Sequence, residues 1–261
     1  MTLLPNGTVA AVDSLVEPKP KRRQPNLKFY DTVVREITNE SPTVRLFELE
    51  FAEPFQFKAG QFVQLDLPIE SDITRRSYSI SSPPRGDNRI QLCVALEPNG
   101  LGTPYLFNEV EVGATLRTSQ PLGRFTLPDA IDEEVCFICT GVGIAPFRSM
   151  LLDAFNRGIL KHDAHLFFGN RRTEDILYRA EWERLDKELP LFHFHPVLSR
   201  DTAPKWHGLT GYVHEHYLRT FHDSRPATFY LCGWRDMLNE ARSHLAGMGY
   251  DYKQIKIEVY N

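Results

Sequence analysis

Residues 76–82 read Arg76-Ser77-Tyr78-Ser79-Ile80-Ser81-Ser82, an arginine, a tyrosine and serines crowded into what reads as the end of a strand. A guanidinium supplies a fixed fork of donors for phosphate. A tyrosine ring lies flat against an aromatic ligand while its hydroxyl reaches a polar partner. Serine hydroxyls donate to ring nitrogens or phosphate oxygens. Together these groups suit a ligand with a flat ring system and a pyrophosphate, and a flavin nucleotide has both. A half-buried strand closing on the Ser-Ser-Pro-Pro turn would use the same residues, so the rest of the chain must decide.

A second stretch, Cys139-Thr140-Gly141-Val142-Gly143-Ile144-Ala145-Pro146, joins an apolar strand to a helix. Glycines at such a junction let the backbone approach a pyrophosphate, which then faces the free amides and partial positive charge of the helix N-terminus. Pro146 suits the first helical turn, where its missing amide costs nothing. The segment departs from Gly-x-Gly-x-x-Gly because proline stands where the third glycine would be.

The elements that must position these residues fall into two textures. Residues 1–26 read as a flexible tail, whose Pro-Lys-Pro-Lys-Arg-Arg-Gln-Pro run mixes prolines with like charges and cannot build a core. It reads as solvated chain, with docking to an acidic partner as the alternative. Residues 27–129 read as all-β, with strands at 43–51, 61–67, 89–96 and 115–118 separated by Pro, Gly, Asn and Asp. That spacing predicts a small antiparallel β-barrel. Residues 130–261 alternate strand and helix: strands at 135–139, 165–168, 192–198, 228–231 and 255–259, helices at 146–156, 179–187, 213–220 and 236–248. Gly158 is placed to end the first of these helices. This alternation predicts a parallel sheet covered by helices on both faces.

With 261 residues the chain is long enough for two domains, each with its own core. A formal net charge of −4 gives no reason to expect nucleic-acid binding. No apolar run is long enough for a membrane span, and the first residues lack the pattern of a secretory signal, so the expectation is a cytoplasmic monomer. The 4 cysteines agree with that setting. Cys136-x-x-Cys139 lies inside an apolar strand with no second pair nearby, and is read as core rather than as a redox or zinc pair. His193 and His195 share a strand face but have no third ligand near them in sequence, so no metal is expected. Without a cysteine cluster for an iron–sulfur centre, electrons would pass to another protein.

The run 76–82 resembles the Arg-x-Tyr-Ser-x-x-Ser flavin signature of the ferredoxin–NADP reductase family, and Gly141-x-Gly143-x-Ala145-Pro146 resembles its pyridine-nucleotide segment. Other stretches resemble the family in the same order. These are Gly100-Leu101-Gly102-Thr103 at the flavin pyrophosphate, Pro121–Phe125 at the turn closing the barrel, and Phe168-Gly169-Asn170-Arg171 beside the nicotinamide nucleotide. Cys232-Gly233 with Met237, and Glu258-Val259-Tyr260, complete the set. The resemblance spans residues 28–261. It implies that FAD is held by Arg76, Ser77, Tyr78, Ser79, Ser82, Leu101, Gly102, Thr103, Thr140 and Tyr260. It implies that NAD(P)H is held by Gly141, Gly143, Ala145, Pro146, Asn170, Arg171, Ser199, Arg200, Cys232, Gly233 and Met237. Ser79, Cys232, Glu258 and Tyr260 would be catalytic: Ser79 near the flavin's reactive nitrogen, Cys232 and Glu258 shaping the nicotinamide pocket, Glu258 assisting with protons, Tyr260 stacking on the flavin. Here Asn261 follows that tyrosine, which is terminal in plant-type members.

Ser199-Arg200 resembles the pair that grips a 2′-phosphate, with Lys205 as the candidate second cation. Trp206–Val213 resembles oxygenase reductases that use NADH, and the balance tips to NADPH. The function implied is electron transfer between NAD(P)H and a ferredoxin or flavodoxin-type one-electron carrier, by hydride transfer to FAD and then single-electron steps. The alternative is the NADH-dependent reductase component of an oxygenase. A third reading is a flavin-binding subunit or sensor without turnover, against which stand the intact segments at 140–146 and 232–233.

Overall fold

The computed structural model describes residues 27–69, 72–200 and 206–260. The tail at 1–26, Lys205 and Asn261 lie outside the described residues.

Six strands rich in Val, Leu, Ile and Phe pair first: β1 (Phe29–Ser41), β2 (Val44–Glu50), β3 (Phe62–Ile69), β4 (Asp72–Ser79), β5 (Arg89–Ala95) and β6 (Thr115–Ser119). They form one antiparallel sheet in the order β4-β3-β6-β1-β2-β5. Its two end strands approach each other. Ile80 bridges Leu92 and the Ser81 amide donates to the Gln91 carbonyl at 2.8 Å, so the sheet nearly closes into the expected barrel. Alternate residues Val63, Leu65 and Leu67 of β3 point inward and are at most 1% exposed. A short helix, α1 (Gly102–Asn108), buries Leu106 in the same interior.

The strands expected at 43–51, 61–67, 89–96 and 115–118 are β2, β3, β5 and β6. The sequence pattern omits β1, a 13-residue strand with only Val34 and Thr32 buried. With so little apolar alternation it carries no period-2 signal.

The second sheet contains β7 (Glu134–Thr140), β8 (Ala164–Asn170), β9 (Phe192–Leu198), the two-residue β10 (Leu209–Thr210), β11 (Ala227–Gly233) and β12 (Ile255–Val259). All are parallel, in the order β10-β9-β8-β7-β11-β12. Helices α2 (Ile144–Arg157), α3 (Arg179–Glu188), α4 (Val213–Thr220) and α5 (Arg235–Gly247) intervene. Val135 to Cys139 is continuously apolar because both faces of β7 are covered. Cys136 and Cys139 therefore face opposite sides of the sheet, in separate cores, and cannot share a ligand. Gly158 ends α2 with φ 63°, the left-handed conformation glycine adopts without strain. Strand order reverses between β7 and β11, and open α/β sheets bind ligands in the crevice at such a switch point.

One apolar core joins the two sheets. Val44, Leu46, Ala59 and Cys93 of the first pack with Phe137, Phe147, Met150, Leu177 and Tyr178 of the second. A polar clamp lies beside it. Arg148 of α2 binds Glu181 with two bonds of 2.6 and 3.0 Å, donates to the Ser81 carbonyl at 3.0 Å, and lies 4.4 Å from the Tyr178 ring centroid. Arg148→Ala would leave Glu181 half-enclosed and unpaired. We expect a loss of about 3 kcal/mol of unfolding free energy, at the low end for a buried pair because Glu181 keeps some water. Chemical denaturation measures it, and an unchanged midpoint would contradict the clamp. Arg148→Lys should recover only part, since a single ammonium lacks the two-pronged fork.

Candidate active site

The edge strands β4 and β12 bring the catalytic candidates together. Parallel register sets Glu258 of β12 beside Cys232 of β11, and the chain end then carries Tyr260 across to the last residue of β4. The Tyr260 hydroxyl donates to Ser79 Oγ at 2.9 Å, and Ser79 Oγ donates to Glu258 Oε2 at 3.3 Å. The Cys232 thiol is a hydrogen-bonding neighbour of the Tyr260 hydroxyl. Ser79, Glu258 and Tyr260 border a cleft of about 540 Å³ lined also by Phe62, Arg75, Arg76, Ser77 and Val259, with Cys232 buried behind them. Its size is that of an organic cofactor site.

Burial dominates the electrostatics. It pushes the Glu258 carboxyl up to about 7, against the donation from Ser79, so this group changes charge near neutral pH. Burial, and then the charge of Glu258, holds the Cys232 thiol protonated. Burial likewise keeps the Tyr260 phenol neutral, with Cys232 and Glu258 adding to the effect. The result is one titrating carboxylate in a chain of neutral hydroxyl donors, an arrangement suited to moving a proton at Glu258 Oε2.

Arg76 and Tyr78 lie two apart on β4 and share a face. The start of α1 presses against them. A Cβ on Gly102 would stand 2.8 Å from Arg76 Cγ and 3.4 Å from the Tyr78 oxygen, so only a glycine leaves that approach open. Burial raises the Tyr78 phenol to about 12, so it serves as a neutral donor. Ser77 is exposed on the cleft wall and accepts from Gln64 Nε2 at 3.3 Å. Leu101 is exposed beside Gly102. The Thr103 hydroxyl takes the Glu97 amide at 2.8 Å and so holds its own loop.

Ser82 stands apart from the other flavin candidates. It is 1% exposed, its hydroxyl accepts from the Gln91 amide at 3.0 Å and its carbonyl accepts from Ser149 Oγ at 2.7 Å. The turn after Ser79 carries it away from the cleft, into the junction between the sheets.

The pyridine-nucleotide candidates meet at the switch point. A Cβ on Gly143 would lie 2.4 Å from the Cys232 carbonyl oxygen, so the glycine turn is packed directly under the end of β11. Thr140 Oγ1 accepts the Trp234 amide at 3.1 Å, and the Met237 methyl lies against Gly233. Gly141 stands open, with nothing within 4 Å of its Cβ position. Ala145 and Pro146 are buried and seat α2 on the sheet. At the ends of β8 and β9, the Asn170 carbonyl accepts the Ser199 amide at 3.0 Å, and the Arg171 carbonyl accepts the Arg200 amide at 2.9 Å. Asn170 itself is buried, its amide turned to the Phe168 carbonyl. Arg171, Ser199 and Arg200 are exposed there, and neither arginine enters an ion pair among the described residues.

Sequence reasoning missed Phe62 and Arg75 in the cleft wall, and Gln91, Arg148 and Tyr178 behind it. Phe62 sits in a strand read only as apolar, and Arg148 meets Glu181 at a separation of 33 residues. No local pattern marks either.

The family model described as the oxidoreductase FAD-binding domain matches residues 31–127, and that of the oxidoreductase NAD-binding domain matches 137–243. The chain is 35% identical over 230 residues to ferredoxin–NADP reductase B of Sorangium cellulosum, covering 85% of this chain and 93% of that protein. It is 32% identical over 218 residues to the reductase component of phenol 2-monooxygenase from a Pseudomonas species, covering 81% of this chain and 60% of the relative. The chain thus spans about three fifths of the oxygenase reductase components it matches. Among solved structures, a cytochrome P450 reductase of Amycolatopsis superposes with a TM-score of 0.82 at 27% identity, over 89% of this chain and 70% of the other. The ferredoxin NADP+ reductase of Neisseria gonorrhoeae shares the fold with a TM-score of 0.76 at 24% identity, over 89% and 98%.

Proposed function

The chain belongs to the ferredoxin–NADP reductase family, and on that premise we propose that it passes electrons between NAD(P)H and a ferredoxin or flavodoxin-type carrier. It is an FAD- and NAD(P)H-dependent oxidoreductase. The observation that carries the proposal is the convergence of Ser79, Cys232, Glu258 and Tyr260 between two cradles, one built on β4 and α1 and the other at the β7–β11 switch point.

The residues fit the cofactor. Residues 27–129 are proposed as the flavin unit: Arg76 offers a phosphate partner, Tyr78 a ring wall, Gly102 a backbone approach, and Ser77 and Ser79 donors along a cleft of matching size. FAD, when bound, takes an electron pair from a nicotinamide and hands electrons on singly. Residues 130–261 are proposed as the nucleotide unit. Thr140, Gly141 and Gly143 receive the pyrophosphate, Cys232 and Gly233 bound the nicotinamide pocket, and Arg171 with Ser199 and Arg200 hold the far phosphate. Glu258 holds or yields a proton through Ser79. Tyr260, which lines the cleft beside Ser79, covers the ring face and must move for the nicotinamide to enter.

Exposed Arg200 beside Arg171, neither in an ion pair among the described residues, favours NADPH, because two guanidinium groups suit a 2′-phosphate. The second reading, the NADH-dependent reductase component of an oxygenase, is favoured by the phenol hydroxylase and anthranilate dioxygenase relatives. A cytoplasmic setting belongs to the proposal and rests on four free, buried thiols. All four are packed in cores.

Anaerobic stopped-flow mixing with NADPH and, separately, NADH tests the reading. Rapid bleaching of the flavin band by NADPH, slowed in Arg200→Ala, is the expected result. Faster bleaching by NADH moves the assignment to the oxygenase reductase, and a flavoprotein reduced by neither sinks both.

A further inference from the structure

We propose that Asp163, His165 and His193 form a binding site for a divalent cation of the zinc type, at the opposite end of the parallel sheet from the nucleotide crevice. One ligand atom from each of the three lies within 4.8 Å of the others. Their placement follows from register. His165 and His193 are direct partners across β8 and β9 and so share a face, with ring centroids 4.8 Å apart. Asp163 precedes β8, and its Oδ1 stands 3.0 Å from His193 Nε2. Tetrahedral zinc with bonds of about 2.0–2.1 Å to nitrogen and oxygen holds its ligand atoms roughly 3.3–3.5 Å apart, so the three groups must close in and the His193 ring must turn from its stack on His165.

A second observation concerns His165 itself, on its side toward Glu134. His165 Nε2 and Glu134 Oε2 are buried without a hydrogen-bond partner, and they face each other at 3.5 Å. The His165 side chain is only 9% exposed. Glu134 Oε1 is already taken by Arg225 Nε at 2.8 Å, which leaves Oε2 with nothing to accept. Unmet buried polar atoms are costly, and a cation bound at His165 would satisfy its nitrogen and attract the carboxylate oxygen. The other ring nitrogen of His165 is held by His195 Nε2 at 3.1 Å, the kind of outer partner that orients a metal-ligating imidazole.

The chemistry of the donors selects the ion. Two imidazole nitrogens with one or two carboxylate oxygens suit zinc and its transition-metal neighbours, whereas calcium and magnesium ask for oxygen alone. His193 and Asp163 are 36% and 41% exposed, which gives the ion an entrance and lets His193 turn out of its stack to present an edge. The expectation that His193 and His195 lack a third ligand rested on sequence spacing, and in space Asp163 and His165 stand beside His193. His195 is the outer partner, stacked 4.3 Å from Phe167, and the ligands come from the neighbouring strand.

Isothermal titration of the chelator-treated, flavin-loaded protein with Zn²⁺ tests the proposal, alongside Asp163→Asn and His193→Ala. The wild type should bind one equivalent and gain thermal stability as it fills. Each variant should bind at least about ten-fold more weakly. Flavin reduction by the nicotinamide should be the same in all three, because the site is at the far end of the strands. Both altered residues are on the exposed rim, and melting without metal checks that they fold. Absence of saturable binding in the wild type overturns the site, as does binding of undiminished affinity in both variants.

Discussion

Replacing Gly143 by alanine is expected to slow flavin reduction by NAD(P)H about 100-fold or more, while the protein still purifies with its flavin. The added Cβ would lie 2.4 Å from the Cys232 carbonyl oxygen, 2.7 Å from its carbon and 2.9 Å from the Gly233 nitrogen. All three are backbone atoms at the end of a central strand, so no side chain can swing aside. The turn and the strand end must separate, and that separation opens the pocket in which the nicotinamide has to meet the flavin ring. A displacement of about 1 Å at the reacting atoms is enough for a loss of this size. Gly141, two residues earlier, is the control. Nothing lies within 4 Å of its Cβ position, and its φ of 52° is tolerated by asparagine at small cost. Gly141→Asn should therefore keep the fold and the flavin, and any effect on reduction should fall on the affinity for the nucleotide whose pyrophosphate this glycine is proposed to receive, not on the limiting rate. Stopped-flow reduction of both variants, with flavin content measured by absorbance, decides the matter. Near-wild-type reduction by Gly143→Ala would mean that the close approach at the switch point does not position the nucleotide.

The difference between these glycines marks the limit of what the sequence could say. Both belong to one short turn, and the strand–turn–helix context located it. That one is locked against Cys232 and the other is free depends on β11, some 90 residues further along the chain. The parallel sheet was legible because β7 and its neighbours are apolar throughout, and such runs leave few alternatives. β4 was legible only at its polar end, where the chemistry-bearing residues are, and β1 not at all, since its partly exposed residues follow no period. Ser82 shows a related limit. Its spacing from Tyr78 fits a flavin motif, but after Ser79 the chain leaves the cleft wall, and a one-dimensional spacing does not record that turn. The His165–His193 pair is of the same kind, created by the registration of two strands 28 residues apart. Local periodicity gave the scaffold, while contacts across the chain decided which side chains face the ligand.

Glu258→Gln is the substitution expected to change turnover and stability in opposite directions. Ser79 and Tyr260 donate along a chain that ends on Glu258 Oε2, and burial holds the carboxyl at about 7. A proton-exchanging group matched to the working pH contributes about 100-fold or more, and the neutral amide cannot exchange one. Loss on that scale is expected at pH 7, together with loss of the inflection near pH 7 in the wild-type rate profile. The stability effect follows from linkage. The carboxyl has a reference value of 4.5 and is raised in the folded protein, so the folded state binds the proton more tightly than the unfolded chain does. Its contribution to stability is full below about pH 4.5 and is lost as pH rises through about 7. The amide is never charged and escapes that loss. The melting advantage of Glu258→Gln over wild type should therefore widen from pH 5 to pH 8.5, by on the order of 2 kcal/mol, a figure kept below the full shift because the side chain retains some water. A variant that is slower but gains no relative stability at high pH would show that Glu258 is ionised without penalty. One that is more stable at high pH yet turns over normally would remove Glu258 from the proton path and leave it a buried neighbour of the cleft.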